Sequence, residues 1–445
     1  MLRVRRVEWP TGGSLQGVVD SDSRWWDCPL DVETLAAEAV GTVRRAAAEL
    51  ARVRGLDLHV STTPALIAAS FAAHEHLRVD GRPVEGWAEL SGFLPAADGW
   101  VRLHGNYPHH AEALRRTYGI QDRAGLERVL TARPAAEIER EVTAAGGIAA
   151  RVRNRAEWEA GLQHAARRSW GWVEVLERGE RPIPATGPSG DVGGADGSGG
   201  LLDGVRVLDL TRVIAGPTAS QLLACLGADV LRVDPPHRPE IIAQHLSTGM
   251  GKRSAILDLR DAGQRERART LAAGADVILT GYRPGMLARH GLGIEDLTEL
   301  APHAVIGALS AWGESGPWGE RAGFDSIVQA ATGIAELCGS AERPGALPVQ
   351  ALDHATGHRL AGAVLEALAA GCARTIRISL LGAADALLAL PRPHGGGVAE
   401  LPVPRVRVRS GGSRLFAVPP PLLVDGRTIE RDVPEYGAAA PVWRE

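Results

Sequence analysis

The stretch Gln350-Ala351-Leu352-Asp353-His354-Ala355-Thr356-Gly357 sets one carboxylate in a run of small residues. It sits a little downstream of an α/β segment that begins at Gly204, where a doubly wound half-domain would present a nucleophile. The same Asp353 also reads as the N-cap of a helix from Thr356 to Ala370. The two roles are compatible, because a helix N-terminus favours an anion. His354 and His358 stand four residues apart and share a helix face, but a zinc site would lack its third ligand. His109-His110, after Asn106-Tyr107-Pro108, either reach this centre from elsewhere in the chain or serve as surface and packing histidines.

The elements that must position Asp353 lie in the second half of the chain. Val205–Leu210, Val230–Asp234, Ala255–Leu259, Asp276–Leu279 and Ala304–Leu309 are expected strands. Helical patterns at Pro217–Leu226 and Asp261–Ala273 lie between them, the first opened by Pro in its first turn. Strands alternating with helices at short spacing imply a parallel sheet covered on both faces, with ligands at the carboxyl ends of its strands. The first strand is followed by neither G-x-G-x-x-G nor a Walker loop, so NAD and ATP are not expected.

The segment Pro182–Gly200 is dominated by Gly, Ser, Pro and Asp, and reads as a linker. Before it lies a helix-rich α+β part, 1–181. Its first helix, Val32–Arg54, has Asp31 as N-cap, and helical patterns follow at Pro64–His76, Glu112–Tyr118, Arg123–Thr131, Pro134–Ala145 and Arg155–Arg168. Asp98–His104 and Gly146–Val152 read as turns leading into short strands. After the linker come the α/β domain, 201–390, and a Pro/Gly-rich tail, 391–445.

A chain of 445 residues is long enough for two domains. Lys+Arg 49 against Asp+Glu 53 gives a formal charge of −4, so no global basic field recruits nucleic acid. Cys28, Cys225, Cys338 and Cys372 are scattered without metal spacing, which fits a reducing compartment. No apolar run is long enough to span a bilayer and the first residues lack a signal-peptide pattern, so a cytoplasmic protein is expected.

The second half resembles the N-terminal half of the family III CoA-transferases. The motifs that carry the resemblance occur in order: Gly204–Pro217, Leu226–Val233, Gly251-Lys252-Arg253-Ser254, Tyr282-Arg283-Pro284-Gly285, Gly313-x-x-Gly316-Pro317, Ala322-Gly323-Phe324-Asp325, and Asp353 before Thr-Gly. The first part resembles the C-terminal half of the same family, through Phe93–Leu103 and Ala144–Ala150, so the halves stand in rearranged order. The resemblance implies a Rossmann-like doubly wound domain beside a smaller mixed α+β domain. It implies an interlocked homodimer acting on an acyl-CoA and a carboxylic acid, with no metal. By the same resemblance Asp353 is the nucleophile. Val213, Ile214 and Ala215 lie beside the pantetheine, Lys252, Tyr282, Arg283 and Arg289 lie near the nucleotide, and Phe324 lies beside the coenzyme.

As plain structure, Lys252-Arg253 is a solvated turn and Arg289 a helix-surface charge. Gly395-Gly396-Gly397 is either a connector or a flap of the kind some relatives carry. Pro235 and Pro236 stand where many relatives have a basic residue, so the adenine end is held differently. α-Methylacyl-CoA racemases share the expected fold but place a proton-transferring His at the position of Phe324, so the transferase is the favoured reading. The alternatives are a racemase-like enzyme, with His354 as substitute base, and a non-catalytic acyl-CoA-binding homologue.

Overall fold

The computed structural model describes residues 3–7, 24–167, 171–181, 200–340, 342–393 and 397–444; the expected linker, apart from Gly200, and Gly395 and Gly396 lie outside them. Its largest sheet has eight strands, in the spatial order Arg3–Val7, Val173–Glu180, Cys372–Ser379, Val305–Ser310, Val277–Thr280, Arg206–Leu210, Asp229–Asp234, Arg253–Ile256. The last six are parallel, as the alternating pattern requires. The first two add antiparallel at one edge. The sheet therefore takes strands from both sides of the 182–200 segment.

Alternate side chains of the parallel strands enter two different cores. Val207, Val277 and Val305 pack with the helices Val32–Val53, Ala215–Cys225 and Ala351–Ala369. Leu208, Ile278 and Ile306 pack on the other face, with Ala262–Ala273 and Ile294–Leu300. Such two-sided burial is why these strands read as nearly continuous apolar runs. Asp31 caps the first helix as expected, accepting from the Thr34 N–H at 2.9 Å.

A smaller unit lies before the large domain in sequence. Its three-stranded antiparallel sheet is Gly92–Ala96, Gly99–Leu103 and Ala149–Arg151, backed by the helices Pro108–Tyr118, Arg123–Leu130 and Ala135–Ala144. Leu94, Val101, Leu114, Leu126 and Ile138 form its own core. The segment read as a tail forms the hairpin Val406–Ser410/Ser413–Ala417, which pairs with Arg78–Val79, while Leu423–Val424 pairs with Val60–Ser61. No described helix is long and apolar enough to cross a membrane.

The helix that carries Asp353 is longer than its sequence pattern implied. It runs Ala351–Ala369 with Gln350 at the cap, so Asp353 is an interior residue of the first turn and not its N-cap. This helix meets Ala215–Cys225 at Gly357, where a Cβ would stand 2.3 Å from the Ala215 carbonyl oxygen and 2.9 Å from the Thr218 Cβ. Only a glycine lets the two backbones come so close. Gly357→Val is expected to cost roughly 1–3 kcal/mol of stability through overpacking, read as a lower urea midpoint.

Candidate active site

A cavity of about 190 Å³ opens at the carboxyl ends of four adjacent parallel strands. Arg212, Val213 and Ala215 follow the strand Arg206–Leu210, and Gly281, Tyr282 and Arg283 follow Val277–Thr280. Ser310 and Ala311 come from the end of Val305–Ser310, and Leu380 follows Cys372–Ser379. The chain order reverses between Arg206–Leu210 and Val277–Thr280, which makes this the switch point at which open α/β sheets bind ligands. Tyr107, His109 and His110 of the smaller unit line the same space, with Arg238, Arg321, Phe324 and Asp353.

Asp353 is 5% exposed. Burial, and secondly the charge of Asp325, push its carboxyl well above the usual carboxylate range. The helix N-terminus pulls the other way, but such dipoles give only about 0.3–2 kcal/mol, and each pKa unit is about 1.4 kcal/mol. Desolvation wins. Asp325 begins the helix Asp325–Thr332 and is fully buried. Burial raises its pKa to about 6, against the N–H of Asp353 at 3.0 Å and the Gln329 amide, both of which favour its anion. The two carboxyls titrate as a pair.

Guanidinium groups wall the rest of the cleft. Arg212 lies 4.9 Å over the Tyr107 ring and donates to the Pro239 carbonyl at 2.8 Å. Arg321 is committed to Glu139 at 2.8 Å, whereas Arg238 and Arg283 are exposed. His109 is lowered to about 4 by burial and by Arg238, Arg212 and Arg283. Burial, with His109 next in effect, lowers His110 to about 2, so both rings are neutral at pH 7. Positive charge here comes from arginine, and two neutral imidazoles stand among it.

Of the residues singled out in the sequence, Asp353, Val213, Ala215, Tyr282, Arg283 and Phe324 come together in the cleft, along with His109 and His110. Phe324 stacks on His104, with centroids 3.9 Å apart and planes at 4°. Ile214 is buried at the cap of Ala215–Cys225. Lys252 is not at the cleft surface and is not in a solvated turn. It is 1% exposed and reaches Asp209 at 3.3 Å and the Ser220 hydroxyl at 2.9 Å, with burial lowering it to about 8. Arg289 lies outside the lining, exposed and beside His290. His354 and His358 line a different small cavity with Ser70 and Thr218, pack on Phe71 at 5.4 and 5.6 Å, and are each lowered to about 3 by burial. Sequence reading missed Arg212 and Arg238. The signal for both was available, since each follows the end of an expected strand.

The sequence model of CoA-transferase family III matches residues 202–418. A probable fatty acyl-CoA transferase of Mycobacterium tuberculosis is 39% identical over 181 residues, covering 38% of this chain and 46% of that protein. The human succinyl-CoA:glutarate CoA-transferase is 36% identical over 183 residues, covering 38% of this chain and 41% of that protein. The chain thus spans less than half the length of these curated relatives. A crystal structure of a Mycobacterium tuberculosis protein aligns at 36% identity over 43% of this chain and 58% of that one, with a TM-score of 0.40.

The raised carboxyls fix a sign for stability. A carboxyl whose folded pKa lies above its unfolded value of about 4 is without penalty below that pH and destabilises progressively as pH rises from there to the folded value. Asp353→Asn is therefore expected to stabilise the protein at pH 8 by on the order of 1 kcal/mol or more. The gain should shrink toward zero as pH falls to about 4, in paired thermal melts.

Proposed function

We propose that this chain, whose residues 202–418 belong to CoA-transferase family III, moves CoA from an acyl-CoA donor to a carboxylic acid acceptor. The observation that carries the reading is one buried carboxyl opening onto a cleft walled by arginines at the sheet's switch point. Relatives named for acyl-CoA and succinyl-CoA:glutarate transfer support it.

In the proposed sequence, ionised Asp353 attacks the thioester carbonyl of the donor and CoA leaves as the thiolate, giving a mixed anhydride. The thiolate then attacks the aspartyl carbonyl, releasing the donor acid and forming an aspartyl-CoA thioester. The acceptor carboxylate attacks that thioester, and CoA returns to the acyl carbon of the new anhydride, regenerating Asp353. Low exposure favours this chemistry, because a desolvated carboxylate is a stronger nucleophile and water is kept from the anhydride. Val213, Ala215 and Phe324 are the proposed walls for the pantetheine and acyl end. Arg212, Arg238, Arg283 and Tyr282 are the proposed partners of the phosphates, with Lys252 supporting from beneath through Asp209.

The proposed assembly is a homodimer. Light scattering at twice the chain mass supports it. A monomer that retains transfer would instead mean that one chain, which already supplies both walls of the cleft, suffices.

The direct test is a panel of acyl-CoA donors and carboxylic acids read by mass spectrometry. Asp353→Ala is expected to lower transfer by on the order of 10³-fold or more, and wild-type transfer should rise with pH through the titration of the carboxyl pair. Unchanged transfer in that variant would remove Asp353 from the mechanism. Exchange of the α-proton without CoA transfer would point to racemase chemistry instead.

A further inference from the structure

Three non-glycine residues among those described have positive φ: Asp80, Val213 and Asp425. Asp80 and Asp425 sit in turns between paired strands, where aspartate is tolerated. Val213, at φ 70°, is β-branched and sits on the wall of the cleft. Such a conformation persists only where its surroundings enforce it.

The Val213 amide is held by Glu240, which is 4% exposed. Its Oε2 accepts the Val213 N–H at 2.9 Å and the Arg232 guanidinium at 2.7 Å. Its Oε1 accepts the Ile241 N–H at 2.9 Å and the hydroxyl of Tyr107. Tyr107 belongs to the smaller unit, at the cap of Pro108–Tyr118. A hydrogen-bonded relay thus runs from the smaller unit, through one buried carboxylate, to the strained turn. Beyond the turn, Ala215 touches the Asp353 helix at Gly357.

We propose that Glu240 is a positioning residue: it clamps the Val213 turn in its left-handed form and links that turn to the smaller unit through Tyr107. The consequence for catalysis rests on the transferase reading above. The clamp fixes the wall of the cleft beside Asp353, so losing it lowers kcat/KM without removing any group that contacts the reacting atoms.

Glycine adopts positive φ without help, which supplies a discriminating variant. Glu240→Gln is expected to lower kcat/KM at least tenfold in the wild type but by about threefold or less when Val213→Gly, which itself trims the proposed pantetheine wall, is the reference. If Glu240 only neutralises Arg232 and Arg212, the loss is as large with glycine at 213, and the proposal is overturned. Tyr107→Phe, which leaves the buried ion pairs intact, should shift kcat/KM in the same direction by a smaller factor. It guards against a Glu240 variant that fails to fold. Amide hydrogen exchange gives a readout independent of turnover: the Val213 amide should exchange at least tenfold faster in Glu240→Gln and measurably faster in Tyr107→Phe. Unchanged exchange in both refutes the clamp. If wild type neither binds CoA in calorimetry nor transfers it, the functional reading fails, while the exchange rates still decide the relay.

Discussion

Two carboxyls buried side by side, where charge is costly, set the condition that the rest of the structure meets. Among the described residues no side chain hydrogen-bonds the Asp353 carboxyl to offset its desolvation, and Asp325 faces it with a charge of the same sign. Asp325 is partly relieved by the Asp353 N–H and by Gln329, which itself accepts the Leu347 N–H at 2.9 Å. The relief goes to one member of the pair, so the other keeps the proton longer. A fold optimised only for stability would replace Asp353. In the proposed mechanism, its burial at the edge of a cleft is a store of nucleophilic reactivity.

The scaffold that holds this pair is rigid for identifiable reasons. Gly357 lets two helices meet at backbone distance, and Lys252, Asp209, Ser220 and Thr211 form a buried polar cluster beneath the first turn of Ala215–Cys225. Arg232, Asp234 and Glu240 form a second cluster with no exposed side chain. Leaving any one of these charges unpaired costs several kcal/mol, on the order of 3–5, so each cluster locks the loop it sits in. The arginines of the cleft are the contrasting case: Arg238 and Arg283 line it and remain exposed.

Five of the six parallel strands were legible because they feed apolar side chains to the two cores and helical patterns alternate with them, whereas Cys372–Ser379, with Arg374, Thr375 and Arg377, was not. Asp31 announced its helix because a short acidic side chain before a 3.6-residue pattern has one obvious use. The start of the Asp353 helix was hidden because Gln350 caps it without a side-chain hydrogen bond, leaving no residue-type signal. The helix expected over Arg155–Arg168 ends at Glu159 and restarts at Leu162, with the Gly161 N–H turning back to the Trp158 carbonyl at 2.9 Å in a tighter turn between them. The pairing of Val173–Glu180 with Cys372–Ser379 left a trace only in opposed charges, Glu177 with Arg374 at 2.9 Å and Glu174 with Arg377 at 3.8 Å. Such long-range pairs have no local period to read. Lys252 was legible as a cation but not as a buried one, since burial is a property of the packed neighbours.

The central claim is that Asp353 becomes covalently part of the reaction, and its oxygen atoms carry the record. In the proposed sequence one oxygen of Asp353 departs with the donor acid, and one from the acceptor carboxylate replaces it. The decisive measurement is mass spectrometry of the Asp353 peptide after turnover with an acceptor acid labelled with oxygen-18. The account predicts that the label enters the Asp353 carboxyl in step with CoA transfer. Transfer that proceeds while Asp353 stays unlabelled would contradict it.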